Sequence, residues 1–169
     1  IAFAAGFDPA FCSASCGPTR PSPYFNTRSH APWSDYKIRP AMAIAAKDFS
    51  EAKKLIDRGM ASDGTFPHGA GYLLSTTDKH RNVRSTLYNQ IATVLGRHTD
   101  IRIMKTNYLT GRNDIMFYFT GSVSVQKLET NRFLPGAMAD HLTSAGGRLT
   151  DSTQMSSLRW LEAGATGSY

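Results

Sequence analysis

Hydrophobic positions along this chain fall into two rhythms, and their alternation predicts the fold. Phe49, Ala52, Leu55 and Ile56 recur at helical spacing behind Asp48-Phe-Ser-Glu51, a capping-box pattern with Asp48 as N-cap. Arg58 sits in the last turn of that helix and Gly59 is a natural stop. Gly71-Tyr-Leu-Leu-Ser75 reads as a short strand. Val83, Leu87, Ile91, Val94 and Leu95 predict a second amphipathic helix ending at Gly96, followed by a strand over 101–104. Asp114-Ile-Met-Phe-Tyr-Phe-Thr-Gly121 is apolar at successive positions, as a central parallel strand covered on both faces should be. Residues 136–145 are expected to form a short helix or turn. Asp151-Ser-Thr-Gln154 is another capping-box pattern, and it places Met155, Leu158 and Leu161 on the core side of a third helix before Gly164.

Strands alternating with helices predict a three-layer α/β fold, a mainly parallel sheet flanked by helices, with residues 1–169 as one domain. The opening Ile1-Ala-Phe-Ala-Ala-Gly-Phe7 reads as a buried strand ending at Gly6, and Gly164-Ala-Thr-Gly-Ser-Tyr169 stops where an α/β unit enters its next strand. The chain is therefore expected to be a fragment of a longer one, lacking at least one strand at each end. Residues 8–46 show no sustained period and carry Pro9, Pro18, Pro21, Pro23, Pro32 and Pro40. A connection of that length is usually functional or disordered. Its aromatic residues, Tyr24, Phe25 and Trp33 among them, argue that it packs on something, and these three are candidate binding residues.

Composition narrows the classes. With 169 residues, 41% of them hydrophobic and only 19% charged, disorder, collagen-like repeats and coiled coil are not expected. A chain this long buries enough surface to fold without disulfide or metal. No apolar run approaches the roughly 18 residues that span a bilayer. The formal net charge is +6, but the basic residues are scattered and only Lys79, His80, Arg81 and Arg84 cluster. Without an arginine-rich arm, zinc-finger spacing or an RNP-like aromatic strand, no nucleic-acid partner is expected, and the cluster reads as a solvated face.

Several blocks carry a resemblance: Ser22-Pro-Tyr-Phe-Asn26, Leu55-Ile-Asp-Arg-Gly59, Ala61-Ser-Asp-Gly-Thr-Phe-Pro67, Gly71-Tyr-Leu-Leu-Ser-Thr-Thr-Asp78, Phe117-Tyr-Phe-Thr-Gly121, Asp140-His-Leu-Thr-Ser-Ala-Gly-Gly147 and Ser156-Ser-Leu-Arg-Trp-Leu-Glu-Ala-Gly-Ala-Thr-Gly-Ser-Tyr169. In these the chain resembles the central and C-terminal part of an uncharacterised exported bacterial protein family, found in species with the exosortase/PEP-CTERM sorting system. Family members continue past this terminal Tyr into a Gly-Thr-Val-rich strand. The resemblance implies an extracytoplasmic protein, periplasmic or at the cell surface, and it implies no activity.

Candidate chemistry is sparse. Cys12 and Cys16 are the only cysteines. An exported setting favours a small disulfide between them over two free thiols, with a stabilisation on the order of 2 kcal/mol for so short a ring. Zinc would need two more ligands; His30 is the nearest, so no metal is expected. Asp140-His141, at the mouth of a sheet, could supply a general base with its orienting carboxylate, and Ser144 could be the nucleophile. A lone histidine is more often structural, however, and His141 would then hydrogen-bond locally and fix the Gly146-Gly147 turn. Phe66-Pro-His-Gly69 places a His-Gly before a strand, whereas caspase-like peptidases place it after one, so any kinship with that fold is distant. Asp63, Asp78, Asp114, Asp140 and Asp151 lie at element ends without EF-hand spacing. Gly69-Ala-Gly71 and Gly164-Ala-Thr-Gly167 lack a phosphate-loop lysine, so neither nucleotide nor other cofactor is expected. The functional expectation is a binding or assembly component, with a protein or cell-envelope component as partner. The alternative is a peptidase-like hydrolase using His141, Asp140 and Ser144.

Overall fold

The structure, a computed structural model, describes residues 21–39 and 43–168; the predicted opening strand, Cys12 and Cys16 lie outside them. The chain divides into two compact units, one up to Ile44 and one from Ala45 onward.

In the first unit, the region read as a long loop rich in proline and aromatic residues contains a short helix, α1 (Pro32–Tyr36). Pro32 opens it, where a missing N–H costs nothing, and Lys37 closes it in a left-handed conformation, its N–H on the Trp33 carbonyl and the Ile38 N–H on the Pro32 carbonyl. The Tyr24 hydroxyl donates to the Ser29 carbonyl at 3.3 Å, and the rings of Tyr24 and Tyr36 meet at 6.3 Å. Of the aromatic residues described there, Tyr24 and Tyr36 meet each other, while Phe25 and Trp33 stay exposed.

The second unit is built on four parallel strands: β1 (Ala70–Ser75), β2 (Asp100–Lys105), β3 (Ile115–Thr120) and β4 (Phe133–His141), in the order β2-β1-β3-β4. Met138 of β4 also bridges Gly167 in parallel on its other side. The layered α/β fold read from the sequence is thus present. Helices are α2 (Phe49–Ser62), α3 (Tyr88–Leu95), preceded by a 3-10 stretch over Asn82–Leu87, and α4 (Leu158–Glu162).

Topology decides where the core sits. Tyr72 and Leu74 of β1, Tyr118 of β3, and Ala137 and Ala139 of β4 share one face. Leu109 from the β2–β3 connection, Val125 and Leu128 from the β3–β4 connection, and Trp160 and Ala165 beyond β4 all pack there. Right-handed crossovers produce this result. The three connections that advance from β2 toward β4 and Gly167 fall on one face; only the backward step from β1 to β2 places its helix, α3, on the other.

Several sequence expectations shift. Residues 136–145 do not form a helix or turn: up to His141 they belong to β4, and only beyond it does the chain turn. Pro135 and Gly136 (φ 84°) disguise that strand, which tolerates them because it pairs fully only with β3. Helix α2 begins as read, with the Asp48 carboxylate accepting from the Glu51 N–H at 2.9 Å, but it runs through Gly59 to Ser62. The turn after it uses Gly64 at φ 66°. The third helix begins only at Leu158. The second capping box fails because Ser152 takes the Gln154 N–H at 3.0 Å and holds those residues in a loop.

Candidate functional site

Ligands of open parallel sheets sit outside the carboxyl ends of the strands, where connections diverge to opposite sides. Here that point lies between β1 and β3, and the chain fills it itself. The Thr76 N–H donates to Asn82 Oδ1 at 2.9 Å, and the Thr76 hydroxyl donates to the Gly121 carbonyl at 2.5 Å. Thr77 N–H donates to Asn107 Oδ1 at 2.8 Å. Gly121 lies so close to the backbone of the 78–82 turn that a Cβ there would stand 2.1 Å from the Arg81 carbonyl oxygen. Bonds between main chain and side chains thus link the loops across the crevice. The basic cluster beside it is also partly paired: Arg81 with Asp78 at 3.1 Å and Arg84 with Asp140.

The candidate triad is not assembled. Asp140 and His141 are neighbours on β4, so their side chains leave opposite faces of the sheet. The Asp140 carboxylate, almost fully buried, is bound by the Arg84 guanidinium on the α3 side. His141 enters the core on the other side. The Trp160 indole N–H, which can only donate, reaches His141 Nδ1 at 2.9 Å, so Nδ1 carries the lone pair. The proton is then on Nε2, which donates to the Met155 carbonyl at 2.8 Å. Burial holds the ring's pKa below the ordinary histidine value, and the neutral tautomer is fixed at both ends. Thr120, paired with His141 in register, buries a hydroxyl that has no hydrogen-bond partner among the described residues.

Ser144 stands in the loop after β4, and its hydroxyl meets only the Gln154 amide, at 3.2 and 3.3 Å. Gln154 organises that loop: its Oε1 accepts from the Ala145 N–H at 3.0 Å and from the Thr143 hydroxyl. No hydrogen bond links Ser144 to His141 among the described residues. His68 is exposed in the turn before β1, next to Phe66 at φ 46°. Asp114 accepts from the Tyr72 hydroxyl at 2.8 Å, and Asp151 pairs with Arg148 at 2.6 Å. No group of three or more His, Cys, Asp or Glu residues among the described ones could hold a metal ion. No described helix is long and apolar enough to cross a membrane.

Of the three candidate binding residues, Tyr24 is turned inward on Tyr36, while Phe25 is 76% and Trp33 47% exposed. The Arg39 guanidinium lies 3.6 Å from the centre of the Trp33 ring, which leaves one face of the indole stacked.

A feature the sequence reading missed is the α3 side of the sheet. A groove of about 650 Å³ runs there, lined by Leu73 and Ile101, by Leu87, Ile91 and Leu95 opposite, and by Phe117, Phe119 and Met138 along its floor. Arg84 lines it as well, bound to Asp140. Phe117 and Phe119 stack at 6.4 Å with planes 14° apart, and both remain half-buried although they sit on a central strand. The sequence signal was present in the apolar run 115–119, but it says nothing of whether either face finds cover.

Comparisons with protein-family models, with curated proteins and with solved structures found no match for this chain.

Proposed function

We propose that this chain is a binding and assembly component of an exported or surface-associated bacterial protein. Its docking face is the apolar strip beside α3, and the occupant is an amphipathic helix of a protein partner in the cell envelope. One observation carries the reading: Phe117 and Phe119, on an inner strand of an all-parallel sheet, are not fully covered and line an open groove. Sheets of this kind keep both faces buried, and helices supply the cover. The strip runs alongside α3, where a layered fold sets its next helix, and Phe117, Phe119 and Met138 offer a floor for residues spaced three and four apart. The exported setting and the envelope partner rest on the sequence blocks that resemble the exosortase-associated family. Phe25 and Trp33 add exposed aromatic surface on the first unit.

The hydrolase alternative needs a base with an available nitrogen, and both ring nitrogens of His141 are engaged. Binding is therefore the better-supported class.

The test is a photo-reactive benzoylphenylalanine at position 119 of the full-length protein, irradiated in its bacterial host. The expected adduct joins that position to a peptide of a second protein with apolar residues at helical spacing, and Met138→Lys abolishes it. An adduct to lipid alone, to a second copy of this chain alone, or no adduct overturns the proposal.

A further inference from the structure

We infer that His141 is an acid-operated latch: protonation of its ring releases the segment 142–165 from the sheet while the four strands stay paired. The geometry around the ring supplies the mechanism. Nδ1 accepts the Trp160 N–H at 2.9 Å and Nε2 donates to the Met155 carbonyl at 2.8 Å. An imidazolium carries N–H on both nitrogens. A proton on Nδ1 would then face the indole N–H, two donors head to head in a buried site, so the charged ring and the seated Trp160 are mutually exclusive.

That ring joins both the loop, through Met155, and α4, through Trp160, to β4. Trp160 is fully buried, edge-on to Tyr118 at 4.8 Å and to Phe133 at 6.2 Å. Met155, the other partner, also anchors the loop through its N–H on the Val123 carbonyl at 3.1 Å. The segment is also tied to β3 at its start by the Leu142 N–H on the Thr120 carbonyl at 3.1 Å, and to α2 and its lead-in by Arg58 on the Leu161 carbonyl at 2.9 Å and Lys47 with Glu162 at 2.5 Å; the Ala139 N–H on the Gly167 carbonyl at 3.0 Å and the Thr166 N–H on the Ala137 carbonyl at 2.7 Å lie just beyond it. Losing the indole therefore withdraws the largest buried side chain of the segment from the core and leaves bonds at its start, at Met155 and along α4 to hold it.

The charged groups around the ring do not rescue the cation. On β4, Asp140 favours it, but its carboxylate is bound by Arg84 from the 3-10 stretch, which opposes it. On α4, Arg159 pairs with Glu162 at 2.6 Å; in the loop, Arg148 pairs with Asp151 at 2.6 Å. On β3, Tyr118 and Thr120 are uncharged, and the Tyr118 hydroxyl already takes the Leu109 N–H at 2.9 Å. Burial keeps the closed ring neutral to lower pH than a solvated histidine. The open segment exposes the ring to solvent, where a histidine's ordinary pKa is about 6.5, so it binds more protons and the closed form loses ground as pH falls below that value. For one proton, the ratio of open to closed segment rises about tenfold per pH unit within that window.

The test follows the assigned Trp160 indole N–H and the His141 ring nitrogens by NMR on the full chain, with amide hydrogen exchange, from pH 7.5 downward. The expected result is a neutral Nε2–H tautomer at high pH. On acidification, the His141 ring protonates as the Trp160 signal leaves its buried position and amides of 142–165 lose protection, with β1 and β3 amides unchanged. His141→Gln, which offers an acceptor and a donor but does not titrate, abolishes the acid step where it folds; the wild-type titration stands by itself where it does not. The inference is overturned if His141 titrates while Trp160 stays seated, if the ring remains neutral as the segment opens, or if segment and strands open together.

Discussion

At the scale of single residues, close approach and buried charge set the sharpest expectations. A Cβ at Gly121 meets backbone carbonyl, which cannot swing aside as a side chain can. Gly121→Ala is expected to destabilise the protein by about 1–3 kcal/mol, the usual cost of forcing extra volume into a packed site. Gly147 has open space where its Cβ would go and no positive φ. Gly147→Ala is expected to be neutral or to stabilise by about 0.4–1 kcal/mol through the unfolded chain. Urea midpoints measured side by side separate the two. Asp140 is more demanding, because its partner is a charge. Asp140→Ala leaves the Arg84 guanidinium without its buried carboxylate, and a loss of about 3–5 kcal/mol is expected in the same measurement. An equal loss in Arg84→Ala and in the double variant would mark the two as one unit.

At the scale of elements, periodicity served the sequence reading well wherever an element is regular. The capping box at Asp48, the strand at 71–75 and the apolar run of β3 all stand where the pattern put them. Strand β4 was hidden because Pro135 and Gly136 are turn residues anywhere but near the edge of a sheet, and edge position is a property of the assembled topology. The late start of α4 was hidden for a related reason: Ser152 and Gln154 can cap a helix or tie a loop, and the choice rests on Thr143 and Ser144 across the turn. The candidate base failed by strand parity. Two adjacent residues on β4 cannot serve one site on the same face, and the partner that fixes His141, Trp160, lies on another element. Trp160→Ala is expected to cost about 3–5 kcal/mol, as for a large side chain removed from a core. Phe119→Ser, on the half-covered strip, is expected to cost clearly less in the same unfolding experiment. If the two were equal, the α3 side would be as closed as the core.

For the whole molecule, the layered architecture is what turns an apolar run into a surface. Right-handed connections crowd three crossings onto one face and place only one connecting helix, α3, on the other, so the strip follows from strand order, which no local pattern encodes. The same scale bears on the candidate triad: Thr76, Asn82 and Gly121 are bonded across the strand ends, and among the described residues no hydrogen bond joins Ser144 to His141. Fluorophosphonate labelling of the full-length protein is expected to be absent; labelling that disappears in Ser144→Ala would restore the hydrolase reading. The most direct measurement is titration of the natively folded chain with 8-anilinonaphthalene-1-sulfonate, with near-UV circular dichroism recorded on the same samples. Saturable binding of about one dye per chain, lost in Met138→Lys with the dichroism spectrum unchanged, is the result that an open apolar strip requires. A folded wild-type chain that binds no dye, or a variant that binds it as well as the wild type, would contradict it.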